Sequence, residues 1–252
     1  MTNLRERFDT AYTPRAVAFA DAVGETDVRG IPEPHLPHWG KLYESSPLRV
    51  GIIGRDTMYW GELADFIETV RRNPAEAIHL GEANFDSLEF TKWTNNFGRT
   101  FWDTAMRILA GIHGVADWKR LKGREEEAVL RSFFWANTNA VELFESTPKG
   151  NGVLWENWRT VKDASEKYFD SFRNVLDILR PHVVILMNWD PGDNFLDFEI
   201  RWDEYANHQA HAFDKVSGAH ILATAHPNWL NRNGIYDEAV GGIIERCKSL
   251  DL

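Results

Sequence analysis

The sequence predicts an α/β protein of three layers, α/β/α, built on a mainly parallel central sheet of four strands. Four short apolar segments predict buried strands, and each ends in polar or reactive residues: GIIGRDTMY (51–59), FFWANTNAV (133–141), VVILMNWD (183–190) and ILATAHPNWL (221–230). Between them, apolar residues recur at three- and four-residue steps, as amphipathic helices require. Strands that alternate with helices indicate parallel pairing, with helices on both faces of the sheet. The 252 residues suffice for one such core, so we expect a single domain over residues 1–252.

The segment before the first strand, residues 1–47, is predicted to be a helix followed by an extended arm that packs on the domain. The arm, IPEPHLPHWGKLYESSP, is rich in proline, which removes backbone donors and disfavours regular structure. His35 and His38 lie in this arm. We interpret them as surface residues, with a metal-binding pair as the alternative.

The first half of the chain then continues in a regular order. Residues 48–54 form the first strand, in which Val and Ile do not alternate with polar residues, as in a strand covered on both faces. The pattern next predicts a helix over 59–70, an irregular excursion over 74–96, a helix over 99–112 and the second strand over 131–138.

The second half is predicted to add three helices and two strands. One long helix covers 158–179 and ends at Pro181, the third strand covers 183–187, and an acidic start favours a helix over 203–216. The fourth strand covers 221–225, and an amphipathic helix over 235–247 closes the fold. His208 and His211 would lie near Glu204 on the 203–216 helix, at a spacing that can bind zinc. Because no third ligand has a clear signature, we interpret them as a packed or solvated helix face.

Composition limits the classes of function. The formal net charge of −10 argues against indiscriminate nucleic-acid binding, although it permits a local basic face. The single cysteine, Cys247, excludes an intrachain disulfide and a cysteine-ligated cluster, and it fits a reducing compartment. The chain begins without a signal-peptide core and has no run of about 20 apolar residues, so we expect a soluble, cytoplasmic protein. Neither a GxGxxG motif nor a P-loop is present, which leaves nucleotide-cofactor chemistry without support.

Polar side chains stand at the ends of the four predicted strands: Asp56, Asn137, Asn188 and His226. In an α/β sheet, the carboxyl ends of the strands deliver such side chains to one crevice. A carboxylate, two amides and an imidazole in one cleft indicate bond hydrolysis on a hydrogen-bonding substrate.

These segments resemble the motifs of the uracil-DNA glycosylase superfamily, in order and at plausible spacing, over roughly residues 48–235. The first strand ends in Gly-Arg-Asp (54–56), where many members read GQDPYH, and the second ends in Asn-Thr (137–138). The third strand closes on Asn-Trp (188–189), and the fourth ends in His-Pro (226–227), a polar residue and an apolar tip.

Four positions depart from the superfamily pattern. Thr57 replaces the usual proline, Met58 replaces the tyrosine that blocks thymine in several branches, and Tyr59 takes the place of the motif's histidine. Trp229 interrupts the common His-Pro-Ser-Pro run. The departures indicate that uracil itself is not the expected substrate.

The resemblance implies the uracil-DNA glycosylase-like fold and a monofunctional DNA glycosylase that acts without metal or organic cofactor. Such an enzyme flips a base out of single- or double-stranded DNA and hydrolyses its bond to deoxyribose, and we expect it to act as a monomer. Asp56 would stabilise the sugar cation and orient water, while His226 would donate a hydrogen bond to the leaving base. Asn137 would read the base edge, with Asn139 as the nearby substitute.

The remaining roles implied by the resemblance concern the base pocket and the DNA. The base pocket would be formed by Met58 and Tyr59, with either Phe85 or Phe97 stacked on the base. Trp229 and Leu230 would form the wedge that fills the gap left by the extruded nucleotide. Basic residues near the strand ends, Arg232 and Lys149, would hold phosphates.

The identity of the base, and the activity itself, leave alternatives open. Met58 in place of the blocking tyrosine predicts a roomier pocket, which suits a bulky or hypermodified pyrimidine, as in glycosylases directed against modified phage DNA. The activity would then serve antiviral defence rather than DNA repair by base excision. Asp56 could instead cap a helix, and His226 could be an ordinary hydrogen-bonded histidine. The rival functions are a non-catalytic nucleic-acid or nucleotide binder on the same fold, and a hydrolase of free nucleosides.

Overall fold

Seven strands form one mixed sheet in this α/β protein. The computed structural model describes residues 2–55, 60–87, 99–121, 128–129, 131–141, 155–188, 199–206 and 208–250. The strands are β1 (His38–Trp39), β2 (Val50–Gly54), β3 (Phe133–Asn137), β4 (Val183–Leu186), β5 (Asp203–Ala206), β6 (Gln209–Asp214) and β7 (Ala219–Thr224). Their order across the sheet is β1-β3-β2-β4-β7-β6-β5.

The expectation of a four-stranded, mainly parallel sheet is therefore wrong. The strands β2, β4 and β7 pair in parallel, whereas β7, β6 and β5 pair antiparallel. The extra strands come from segments predicted as other structure: β1 from the arm, and β5 and β6 from the predicted 203–216 helix. The four predicted strands are nonetheless confirmed, and they are neighbours at the centre of the sheet, in the order β3-β2-β4-β7.

The central strands are buried along their length, which explains their sequences. All residues of β2 and β4 are buried, as they must be in strands covered on both faces. Gly51 in β2 is required by close packing, because a Cβ there would lie 2.2 Å from Cζ of Phe134.

The helices lie between and before the strands. They are α1 (Leu4–Val23), α2 (Leu63–Arg72), α3 (Pro74–Ala77), α4 (Glu82–Ser87), α5 (Arg99–Ile112), α6 (Trp155–Tyr168), α7 (Phe172–Leu179), α8 (Pro227–Arg232) and α9 (Tyr236–Lys248). A capping box starts α1, in which the Asn3 side chain and the Glu6 side chain each bond the other residue's backbone N–H. None of the described helices is long and apolar enough to cross a membrane.

Two predictions for the segments before β4 need correction. The predicted helix over 158–179 is divided into α6 and α7, because Ser171 accepts a hydrogen bond from the Asn174 N–H and starts a new helix there. The predicted irregular excursion over 74–96 contains α3 and α4, and its residues 88–96 lie outside the described residues.

The predicted helix over 203–216 is wrong, since the segment forms the antiparallel hairpin β5–β6. Six residues of β6 pair with β7, so sheet pairing decides the conformation there. His208 lies at the hairpin loop and His211 in β6, so they do not share a helix face. Within the described ranges, no group of three or more His, Cys, Asp or Glu residues could hold a metal ion.

The chain packs as two compact units that alternate along the sequence. Unit 1 comprises Met1–His38, Arg55–Asp86 and Ala136–Leu179, and unit 2 comprises Trp39–Gly54, Ser87–Trp135 and Arg180–Leu252. The core of unit 1 includes Phe19, whose ring centroid lies 4.9 Å from that of Phe169 and 6.0 Å from that of Phe66. Unit 2 contains most of the sheet, together with α5, α8 and α9.

Candidate functional site

The carboxyl ends of three neighbouring parallel strands, β2, β4 and β7, lie together at one end of the sheet in unit 2. Ile53 of β2 is in register with Leu186 of β4, and Leu186 is in register with Ala223 of β7. Because these strands are parallel, the residues that follow them start from the same edge. Asn188 and His226 follow β4 and β7 there, and both are half-buried.

His226 lies after the end of β7 and immediately before a helix. It is the N-cap of α8, and its Nδ1 accepts a hydrogen bond from the Asn228 backbone N–H at 3.2 Å. A backbone N–H can only donate, so Nδ1 must carry its lone pair, and the neutral ring keeps its proton on Nε2. The helix cap therefore fixes a tautomer whose Nε2–H can act as a donor to a ligand.

The two residues of the predicted wedge have different environments. Trp229 is 39% exposed, whereas Leu230 is 0% exposed and belongs to the core. A fully buried side chain cannot insert into DNA, so the predicted wedge is corrected to Trp229 alone. Arg232 is exposed at the end of α8.

Asn137 and Asn139 stand at the end of β3, in unit 1. Both polar atoms of the Asn137 side chain are buried, and neither has a hydrogen-bond partner among the residues that the structure describes. The Asn139 amide donates to Thr138 Oγ1 at 3.3 Å. A buried amide without partners is costly, by about 1–3 kcal/mol, so Asn137 has the stronger requirement for an added partner.

The segment that follows Asn137 is held in place within unit 1. The Ala140 N–H donates to Asp170 Oδ1 at 2.7 Å, and the Ala140 carbonyl accepts from the His35 N–H at 2.6 Å. Asp170 also accepts from the Ser165 hydroxyl at 3.1 Å, and burial raises its pKa to about 6. Asn137 thus ends a strand whose following loop is fixed at Ala140.

Phe85 belongs to the core of unit 1. It is 1% exposed, and its ring stacks on that of His38 with the centroids 6.0 Å apart. Phe85 therefore has no exposed ring face on which a base could stack, and its predicted stacking role is wrong. The other predicted site residues lie outside the described part of the chain: Asp56, Met58, Tyr59, Phe97 and Lys149.

The sequence interpretation missed a hollow in unit 1, which we call the Glu33 hollow. It encloses about 320 Å³ including its open mouth, and its lining includes Glu33, His35, His38, Trp60, Phe66 and Ile78. Its narrow interior has room for about one water molecule. His35 and His38 are 5% and 3% exposed, so their interpretation as surface residues is wrong.

The lining of the Glu33 hollow is polar but has little charge. Burial, reinforced by nearby Asp65, raises the pKa of Glu33 to about 7. Burial lowers the pKa of His35 well below its usual value and that of His38 to about 4. Near neutral pH the hollow therefore presents neutral imidazoles and a carboxyl group that is partly protonated.

Glycines allow the close packing around this hollow. A Cβ at Gly81 would lie 2.3 Å from His38 Nε2, and a Cβ at Gly61 would lie 2.5 Å from Glu33 Cδ. The His38 ring also stacks on Trp60, with the centroids 5.9 Å apart. The sequence signal that could have indicated this hollow is a pair of histidines three residues apart, each directly after a proline, with Trp39 after the second.

No protein-family model matches this chain, and no curated protein matches its sequence.

Proposed function

We propose that this protein is a monofunctional DNA glycosylase of the uracil-DNA glycosylase type. It flips a modified base out of DNA, hydrolyses the bond between the base and deoxyribose, and leaves an abasic site. The observation that carries the proposal is that β2, β4 and β7 are parallel and in register at their carboxyl ends. Asn188 and His226 follow β4 and β7 there, and Asp56 is the second residue after β2 in the sequence. An acid and an imidazole that follow strands of one parallel set in the sequence suit this hydrolysis.

The chemistry assigns a separate task to each group. The C1′–N bond breaks, the leaving base takes the bonding electron pair, and the oxygen of water bonds to C1′. Asp56 stabilises the positive charge on the sugar and accepts the proton that water loses. The Nε2–H of His226, set by the cap on Nδ1, donates a hydrogen bond to the negative charge on the base.

Recognition of the base falls to Asn137. Its amide has one acceptor and two donors, and no described residue satisfies them. Met58 stands where several branches of the superfamily have a tyrosine that blocks thymine. This replacement favours a large or hypermodified pyrimidine over plain uracil. Such a base in phage DNA would make the activity one of antiviral defence.

Contact with DNA is assigned to few residues, because the chain has a net charge of −10. Trp229 occupies the gap left by the flipped nucleotide, and Arg232 and Lys149 contact phosphates. We propose that the enzyme acts as a monomer in the cytoplasm and needs no metal or organic cofactor.

The test is a strand-cleavage assay for abasic sites across duplexes that carry uracil, methylated and hydroxymethylated pyrimidines, and across glycosylated phage DNA. Wild-type protein should release at least one modified base and leave the uracil duplex intact. The variant Asp56→Asn should lose this activity by at least about a hundredfold while it still binds the duplex. The matched control Asp21→Asn, at an exposed position on α1, should be as active as the wild type.

The same assays separate the rival functions. Binding of DNA without release of any base by wild-type protein would favour a non-catalytic binder. Release from mononucleosides at the same rate as from DNA, unaffected by Trp229→Ala, would favour a free-nucleoside hydrolase. Release of uracil alone would overturn the proposed substrate class but leave the reaction intact.

A further inference from the structure

The loop of the β5–β6 hairpin contacts the helix that follows His226. Ala206 pairs with Gln209, so the loop consists only of His208 and of Asn207, which lies outside the described residues. The ring centroids of His208 and Trp229 are 4.3 Å apart, and their planes are inclined by 59°. Both side chains are exposed, so the two rings form a small aromatic surface in unit 2.

His208 makes this contact from a strained backbone position. Its φ is 54°, in the left-handed region that most side chains avoid. The second residue of a two-residue hairpin loop is most often glycine, which adopts this conformation without strain. Strained non-glycine positions of this kind cluster at functional sites, so the contact of the His208 ring is the feature to test.

Hydrogen bonds fix the backbone of Trp229. Its N–H donates to the His226 carbonyl at 2.8 Å, and its carbonyl accepts from the Asn233 side chain at 2.8 Å. The neighbouring Leu230 is fully buried and anchors α8. The ring of His208 packs against the Trp229 indole and so limits its rotation.

We propose that His208 is a positioning residue, which holds the Trp229 indole in the orientation that fills the gap left by an extruded nucleotide. The ligand of this two-ring surface is an unstacked DNA base, and the inference rests on the proposed function. Every base offers a π-face, so stacking on an aromatic ring tolerates any neighbouring sequence. Fixing an exposed side chain before binding lowers the entropy that is lost on binding.

The experiment uses a DNA duplex with a tetrahydrofuran abasic analogue next to 2-aminopurine, so that it does not depend on the identity of the excised base. Anisotropy gives the Kd, and 2-aminopurine fluorescence reports unstacking. We expect Trp229→Ala to weaken binding about tenfold and to abolish the fluorescence rise. We expect His208→Gly, which removes the ring and relieves the backbone, to weaken binding about threefold to tenfold.

A double variant and a matched control separate positioning from a general structural effect. If His208 acts through Trp229, the double variant His208→Gly/Trp229→Ala should bind as the single Trp229→Ala variant does, within about twofold. Arg180 is the other described non-glycine residue with a positive φ, 51°, and it contacts no aromatic ring within the part of the chain that the structure describes. Arg180→Gly should therefore leave both signals unchanged.

Each outcome has a defined meaning. Unchanged binding by His208→Gly, or an equal loss in the presence and absence of Trp229, would overturn the positioning role while the glycosylase proposal stands. A wild-type protein that does not bind the abasic duplex at all would overturn the DNA function, and this inference with it.

Discussion

Asp170 accepts a hydrogen bond from the backbone N–H of Ala140 at 2.7 Å, and so connects the turn between α6 and α7 to the loop that follows Asn137. The carboxyl group is buried, and burial raises its pKa to about 6. The conformation of the loop beside a candidate recognition residue thus depends on one buried acid from a distant part of the chain.

Removing that acceptor should destabilise the protein. In Asp170→Ala the buried Ala140 N–H loses its partner, which should cost about 1–3 kcal/mol of unfolding free energy. For a chain of this size that corresponds to a fall in Tm of about 5 °C, measured by circular dichroism. Asp170→Asn keeps an acceptor oxygen, so its unfolding free energy should fall clearly less than that of Asp170→Ala. Equal losses in the two variants would show that the hydrogen bond to Ala140 is not what matters.

Glu33 should make stability depend on pH in a defined direction. The pKa of the Glu33 carboxyl is 4.5 in the unfolded reference state and about 7 in the folded protein. Between these two pH values the folded state therefore binds more protons than the unfolded state. The free energy of unfolding therefore falls as pH rises through this window. Glu33→Gln should remove that slope and be more stable than wild type near pH 8, by about 1–3 kcal/mol, and equal to it near pH 4.

The control for this pH effect is Glu68→Gln, at an exposed position of α2. Thermal unfolding of both variants over the same pH series measures the difference. The opposite contribution of His38, whose lowered pKa destabilises the fold as pH falls from 6.5 to about 4, is present in every variant and cancels. A Glu33→Gln profile parallel to that of wild type would contradict the proposed burial of this carboxyl.

Two glycine substitutions should have opposite effects on stability, one at the Glu33 hollow and one away from it. Gly81→Ala would place a Cβ 2.3 Å from His38 Nε2, and the His38 ring is already in contact with Trp60 and Phe85. Such overpacking should cost about 1–3 kcal/mol. Gly241→Ala, in α9, would meet no atom within 4 Å and should stabilise the helix by about 0.5–1 kcal/mol. Chemical denaturation of both variants compares the signs, and a stabilised Gly81→Ala would refute this account of the hollow.

His226 can be tested as a donor separately from its role as a helix cap. Asparagine is a good N-cap, so His226→Asn should keep the start of α8 and a Tm close to that of wild type. It lacks the Nε2–H, so base release should fall by about a hundredfold or more. His113→Asn, at an exposed position after α5, serves as the control. Full activity of His226→Asn would reduce His226 to a helix cap.

The central strands could be predicted from the sequence because nearly all of their residues are buried and apolar. The strands β2, β3, β4 and β7 are buried apolar runs, and such runs are recognisable without knowledge of their neighbours. The ends of α5 and α9 were also close to the prediction, since their apolar residues recur with a helical period.

The hairpin β5–β6 could not be predicted in the same way. Its residues Ala210, His211 and Ala212 are compatible with a helix, and the loop with His208 lacks the glycine that marks a tight hairpin. Only pairing with β7 makes the segment a strand, and pairing is a property of the folded chain.

The candidate site was predicted in part. Strand ends are visible in the sequence, so Asn137 and His226 could be found there. The burial of Leu230 and Phe85 depends on which neighbours pack around them, and a resemblance to known motifs does not carry that information. The Glu33 hollow was missed for the same reason, because prolines in a polar arm usually indicate exposure.

The alternation of the two packing units along the polypeptide has a consequence for biosynthesis. Each unit draws on three separate stretches, and the stretches of the two units alternate along the chain. A ribosome must therefore synthesise the chain as far as Leu179 before unit 1 can be complete, and no single cleavage could separate the two units. Versions of this protein truncated before Leu179 should accordingly be insoluble or degraded rather than partly active.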